Sequence, residues 1–597
     1  MKQLSLALQP CFIVVTILLL VACGDTGKSP ASTDSTELGS TAFPSVQFLA
    51  GLMDKYHNRF PVYDDVSSAG NHFVTFGKIP NGNALVSVNG SWISNPHSGA
   101  TCIRFQFNDS QFAGFYMMNG ILPSGVLIPI VNFGDTPNAG INLSNAISLT
   151  FWVRGERGGE LIDFFVAGVG RDAQTGQPVN LFPDSSPRHP SVGNRFRLTT
   201  QWQQVTIDVK GLNLSYVLGA LGWVATHQDN PQGATFYVDD IQFNLDPSAQ
   251  ADRMNQPRFL ISFETAPFQP NPFDANSDDD IDLVLRNLAF VYDNALVLLA
   301  FLADGSPDSI RRARLIGDAF VYASRNDRFF TDGRLRTAYM AGDISLPPGW
   351  KPNNLPNTVP IPGFYWEPQQ KFFEVEQTAI DVGNNAWAMI ALLALYKKTA
   401  EQSYLDVARR LGQFIHSFRN TAGTYQGFLG GIENPESSSP TLRTYASAEH
   451  NIDVYAAFKV MAELSPGEAL WSNDALHAQQ LVTAMWHSNE NCFLAGTIDP
   501  LTRNSLQGQL PLDVQAWSLL AQIPFALQNT ALVHACLERN HRTTQDGFSG
   551  FDFNNDRDGV WFEGTGQVAV VYRYANDTQK FTELSLQLSS SNDRSHR

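Results

Sequence analysis

Five segments in the C-terminal half of this 597-residue chain each open with a polar and aromatic cluster and run on as an apolar helix. They are YDNALVLLAFLA from Tyr292, GNNAWAMIALLALY from Gly383, AEHNIDVYAAF from Ala448, LDVQAWSLLAQ from Leu512 and FEGTGQVAVVYRY from Phe562. A helix that is apolar on nearly every face is stable only when it is buried all round. Polar residues confined to the same end of five buried helices therefore meet at one place, a cavity floor of carboxylates, amides and rings. An active site needs such a floor.

Each apolar helix is followed by an amphipathic one. In YLDVARRLGQFIHSF the apolar positions Tyr404, Ala408, Leu411, Ile415 and Phe418 advance by fours and threes, one stripe on a helix. PDSIRRARLIGDAFVYA from Pro307 and ALHAQQLVTAMW from Ala475 repeat the pattern. Alternation of this kind predicts hairpins closed into a ring, with the apolar helices inside. A solenoid would instead keep a fixed period and would not gather acids and aromatics at one end. Five hairpins can be placed, and a sixth is expected from segments before Tyr292 or after Tyr572.

The length is too great for one core, so a second domain is expected. From 43 to 245 the signal is period-two alternation in short runs, among them ALVSV at Ala84, CIRFQF at Cys102, ISLTFWVRG at Ile147, LIDFFVAG at Leu161, QQVTIDV at Gln203 and ATFYVDDIQF at Ala234. Gly, Pro, Asn and Asp turns separate them, as in an antiparallel sandwich or barrel. The expected architecture is multidomain: an all-β jelly-roll sandwich over 43–245, a polar linker over 246–258, an all-α (α/α)6-type toroid over 259–580 and a polar tail over 581–597.

Lys2, an apolar run from Phe12 to Ala22 and LVAC ending at Cys23 precede the domains. The run is short for a transmembrane helix and reads as a signal peptide over 1–22. Leu-Val-Ala-Cys resembles the bacterial lipobox, which implies cleavage before Cys23 and lipidation of its sulfur. Gly24 is compatible with sorting to an outer membrane, so an envelope protein anchored by lipid is expected. Residues 23–42, rich in Ser, Thr, Gly and Asp, read as a flexible tether. The remaining cysteines, Cys102, Cys492 and Cys536, allow one bridge between Cys492 and Cys536 or buried free thiols. No CxxC or HExxH pattern supports zinc. A net charge of -17 argues against nucleic acid or an anionic membrane surface as the main partner.

SGATCIRFQF, ISLTFWVRGERGGE, WQQVTIDV and FYVDDIQF, in that order, resemble the jelly-roll carbohydrate-binding modules of the galactose-binding-like kind. That resemblance implies a structural calcium between first and last strands, for which Asp64, Asp65, Asp239 and Asp240 are the candidates. The same acids also fit solvated strand ends. Trp92, Trp152, Trp202 and Trp223 are candidates for stacking on sugar rings or for the core. YDNAL, GNNAWA, EHNIDVY and DGVWFEGT are similar to the six-hairpin glycosidases, whose toroids imply an oligo- or polysaccharide substrate and no required cofactor.

Glycoside hydrolysis needs a proton donor and a second carboxylate, roughly 6.5–9.5 Å apart in inverting enzymes and about 5–5.5 Å in retaining ones. The candidates are Glu449, Glu563, Asp381 and Asp513, with Asp293 at the first hairpin. Glu449 is read as the acid and Glu563 or Asp381 as the base, although acids at helix N-termini also serve as caps. Asn294, Asn384, Asn385, Asn451 and Gln567 suit sugar hydroxyls. Tyr292, Trp387, Trp517, Trp561 and Tyr455 suit stacking, and His450 lies among them. A Pro-rich, aromatic connection from Arg328 to Glu376, with Trp350, Tyr365 and Trp366, reads as a lid. DANSDDDID from Asp274 and DFNNDRDG from Asp552 partly match calcium loops, and both also read as solvated turns. The rival readings are a lyase or epimerase relying on His450, Tyr455 or Asn451, and a non-catalytic glycan-binding lipoprotein. Few basic residues stand in the entrance motifs to neutralise a uronate, which weighs against the lyase.

Overall fold

The computed structural model of the chain describes residues 44–595 apart from a number of stretches, the longest being 264–286 and 345–357. The signal peptide, the tether, Cys23, the acidic loop from Asp274 and Trp350 lie outside the described residues, as do the side chains of Tyr365 and Trp366.

The β-rich part consists of β1 (Arg59–Tyr63), β2 (Thr75–Ile79), β3 (Val86–Trp92), β4 (Cys102–Phe107), β5 (Phe112–Met118), β6 (Ala146–Gly155), β7 (Leu161–Val166), β8 (Phe196–Arg197), β9 (Gln203–Asp208), β10 (Gly219–Thr226) and β11 (Ala234–Leu245). One sheet has the order β9-β6-β11-β4-β3, with β1 also paired to β11, and the other has the order β8-β7-β10-β5-β2. Pairing is antiparallel throughout, Phe236 lying opposite both Phe105 and Gly155. Phe105, Phe115, Phe164, Trp223 and Phe236 fill the space between the sheets, with ring centroids 4.8–6.4 Å apart. The expected strands form, and β5 and β10 join them. FAGFYMM and GALGWVAT lack alternation because nearly every residue of both is buried, on either face.

The helical part comprises inner helices α2 (Val291–Asp304), α4 (Val382–Thr399), α6 (Ala448–Leu464), α8 (Leu512–Leu520) and α10 (Phe562–Tyr574). Each pairs with an outer helix, respectively α3 (Pro307–Arg325), α5 (Gln402–His416), α7 (Ala469–Ala484), α9 (Thr530–Asn540) and α11 (Thr578–Ser595). Consecutive inner helices pack side by side from α2 to α10, and a hydrogen bond between Tyr292 and Glu563 joins α10 back to α2. The stripe Tyr404, Ala408, Leu411, Ile415 and Phe418 is wholly buried. Ser306 caps α3 by accepting from the Ser309 N–H, ahead of Pro307 in the first turn.

Two boundaries differ from expectation. Residues 44–54, assigned above to the sandwich, form α1 (Pro44–Asp54), whose Val46, Leu49 and Met53 join the helical core. Arg312 of α3 holds it there through a bidentate pair with Asp54, at 2.6 and 2.7 Å. The described chain thus passes from the helical core to the sandwich and back. Residues 581–595, read as a polar tail, continue α11, which buries Leu584 and Leu588. Five helix pairs stand among the described residues, and α1 packs beside the first of them.

Cys492, in a short strand after α7, and Cys536, in α9, form a disulfide, and Cys102 is a buried free thiol. No helix among the described residues is long and apolar enough to cross a membrane.

Candidate active site

One device recurs at the fourth residue of each inner helix: Asn294, Asn385, Asn451, Gln515 and Thr565, all buried. Each side-chain oxygen accepts, at 2.8–2.9 Å, the backbone N–H of a residue at the end of a preceding extended segment, respectively Leu260, Leu335, Phe428, Phe493 and Phe551. The same side chain donates back to that residue's carbonyl or to the carbonyl just before the helix, which completes the backbone's pairing. Asn294, Asn385 and Asn451, expected to bind sugar hydroxyls, therefore hold the fold instead. Their hydrogen-bonding capacity is already taken by main chain.

Positions two and six lie one above the other on a helix, and at about 100° per residue both face away from position four. Those positions are Tyr292 on α2, Gly383 and Trp387 on α4, Glu449 and Asp453 on α6, Asp513 and Trp517 on α8, and Glu563 and Gln567 on α10. They meet in the lumen of the ring. The Tyr292 hydroxyl donates to Glu563 Oε1 at 2.5 Å. The rings of Tyr292, Trp387 and Trp517 lie 5.2–6.3 Å apart, centroid to centroid. Tyr292, Trp387, Glu449 and Glu563 are half-buried, whereas Asp453, Asp513, Trp517 and Gln567 are sealed beneath them. Asp453 was not among the expected site residues, although its spacing of four from Glu449 places it on the same face.

These acids share one low-dielectric space. Burial pushes Glu449 well above the usual carboxylate range, and Asp513, Asp453, Glu563 and Asp381 push it further. Asp453 is raised by burial and by Asp513, with only partial relief from the Trp387 indole. Burial raises Asp513 to about 7 against the opposing pull of the Val514 N–H, and Glu563 adds to the rise. Burial likewise lifts Asp293 to about 7. Glu563 is raised by burial, while the Tyr292 hydroxyl and Gln567 favour its charged form.

At the rim, Asp381 takes a different position. Its carboxylate pairs with Arg443, accepts from Thr337 Oγ1 at 2.6 Å and accepts from Asn384 at 3.3 Å. His450 packs against Gly383, where a Cβ would stand 2.4 Å from the imidazole. Its pKa is lowered by burial and by Arg443 against the pull of Asp381, which favours the neutral ring.

Several buried polar atoms in the lumen have no hydrogen-bond partner: Trp387 Nε1, His450 Nδ1, Asp453 Oδ2 and both amide atoms of Gln567. Gln567 leans toward Glu563, and Trp387 toward Asp453, without reaching hydrogen-bond geometry. Buried polar groups are ordinarily satisfied, so this concentration marks a place shaped for a ligand.

The other candidates lie apart. Tyr455 is packed in the helical core under Lys459. Trp561 stacks edge-on with Phe553 just ahead of α10. Asp552, Asp556 and Asp558 come together, with oxygens within 4.8 Å of one another. In the sandwich, Asp65, Asp239 and Asp240 bind the 97–101 loop through its backbone, hydroxyl and imidazole groups, and Asp64 accepts the Asp65 N–H. Three of the four thus fasten this loop, and no group of three or more metal-ligating side chains that includes them is found among the described residues. Trp223 is core, while Trp92, Trp152 and Trp202 lie on the outer face of the larger sheet among Arg104, Arg154, His97 and Tyr237.

No protein-family model and no curated protein matches the chain. Among solved structures it is similar to a family 30 carbohydrate-binding module, at 15% identity over 32% of this chain and 91% of the other, with a TM-score of 0.21. It is also similar to an α-amylase from Clostridium perfringens, at 10% identity over 51% of this chain and 75% of the other, with a TM-score of 0.34. A cellobiose 2-epimerase from Bacillus thermoamylovorans matches at 9% identity over 51% of this chain and 74% of the other, with a TM-score of 0.35.

Proposed function

We propose that the protein is a carbohydrate-active enzyme that hydrolyses glycosidic bonds of an oligo- or polysaccharide in the lumen of its helical ring. One observation carries this reading: Glu449 stands among three further lumen acids, facing rings and unpartnered polar atoms, where burial and those acids favour its protonated form. A carboxyl kept neutral at pH 7 can donate a proton to a departing glycosidic oxygen. Glu563, whose charged form the Tyr292 hydroxyl favours, is the second carboxylate, activating water or attacking the sugar carbon. Asp381, engaged by Arg443, Thr337 and Asn384, positions the rim and His450. The outer sheet face with Trp92, Trp152 and Trp202 is an accessory saccharide surface.

The test is release of new reducing ends from a glycan panel, with mass spectrometry of the products. Glu449→Gln and Glu563→Gln should each lose about 10²–10⁴-fold in kcat while still binding substrate. Wild-type cleavage by both variants would remove these residues from the machinery.

A second reading, sugar epimerisation, is favoured by neutral His450 with its unpartnered Nδ1, a group able to abstract a proton. Uptake of solvent deuterium at a sugar carbon without new reducing ends would establish it. The site of action is the bacterial envelope, with lipid on Cys23. The Cys492–Cys536 disulfide supports an oxidising compartment. Fatty-acid labelling that persists in Cys23→Ser would overturn the anchor.

A further inference from the structure

The lumen gathers acids without a matching cation. Glu449, Asp453, Asp513 and Glu563 face it, and none of them pairs with a lysine or arginine among the described residues. The guanidinium at the rim, Arg443, is already paired with Asp381 and Glu433. A neutral sugar offers hydroxyls to such a floor but nothing that would let its crowded acids ionise, whereas a cation among them would favour their charged forms. We propose that the lumen selects a protonated amine, so that its substrate is an amino sugar or a glycan bearing one. This inference rests on reading the lumen as a saccharide site.

Two independent features point the same way. Asp453 is 3% exposed with Oδ2 unpartnered, and Gln567 is 0% exposed with its Oε1 unpartnered, so two buried acceptors await a donor. An ammonium brings three donors and no acceptor. Beside these acceptors stand Tyr292, Trp387 and Trp517, whose ring faces attract cations and gain strength when water is excluded. Carboxylates, unpartnered acceptors and three converging rings together form an ammonium site. None of them discriminates against the rest of a pyranose ring.

The experiment is calorimetric titration of the full chain with glucosamine, galactosamine and mannosamine, their neutral parents, N-acetylglucosamine and oligomers of the free and acetylated forms. Free amines should bind at least about tenfold tighter than their acetylated or neutral counterparts, a charged hydrogen bond being the difference. Asp453→Asn should lower the ratio of glucosamine to N-acetylglucosamine affinity. Should this variant fold poorly, the comparison of glucosamine with N-acetylglucosamine on the wild-type chain still decides. Equal or weaker binding of the amines, or no binding of any sugar, overturns the proposal. Amine-selective binding without cleavage of any oligomer keeps it and removes the hydrolase reading. Cleavage of neutral glycans without amine preference does the reverse.

Discussion

Glu563 and Asp381 both stand at the mouth of an inner helix, and their neighbours give them opposite tasks. A guanidinium, a hydroxyl and an amide occupy Asp381. Glu563 receives one phenolic hydrogen bond, which favours its charged form and leaves it one oxygen toward the lumen. Tyr292→Phe removes that bond, so the carboxyl of Glu563 moves still higher. A base acts only when ionised, and the acid limb of the kcat/KM profile should therefore shift to higher pH in Tyr292→Phe. A pH–rate profile with an unmoved acid limb would take Glu563 out of the base role. The sequence named both acids but could not separate them, because Arg443 and Tyr292 reach them from remote parts of the chain.

At the scale of elements, helical phase separates the polar residues that face the lumen from those that face the backbone. Asn451 and Asp453 look equally suited to a substrate when read along α6, yet two residues turn a helix by about 200°. That rotation sends Asn451 to the backbone of Phe428 and Asp453 to the lumen. The phase of the repeat, legible once the five helices are aligned on their first residues, distinguishes clamp from site. Replacing a clamp, as in Asn385→Leu, leaves the Leu335 N–H and C=O buried without partners. Such a loss should cost about 1–3 kcal/mol. Chemical denaturation should show it while KM of the folded enzyme stays constant, whereas a raised KM would return Asn385 to the substrate. Strands β5 and β10 escaped the alternation rule for a related reason, since burial on both faces removes the polar residues that mark a half-exposed strand.

For the molecule as a whole, both domain types were legible from the switch between period two and helical spacing, but the order in which the chain visits them was not. Val46, Leu49 and Met53 form too short an apolar pattern to reveal which core they join, and the Arg312–Asp54 pair that fastens them joins residues 258 positions apart. The space between the inner helices concentrates acids that resist ionisation, so the lumen ties stability to pH. Asp513 illustrates the sign: its carboxyl titrates near 7 when folded and near 4 when unfolded, so the folded state binds more protons between those values. Its contribution to stability is thus greatest at low pH and is lost as pH rises through 7. Asn mimics the protonated acid at every pH and can still accept the Val514 N–H. Asp513→Asn should therefore melt close to the wild type at about pH 5 and above it at about pH 8. Calorimetric melts at both values check this, and a variant that loses stability relative to wild type as pH rises from about 5 to about 8 would show that the folded protein stabilises the ionised form of Asp513 instead.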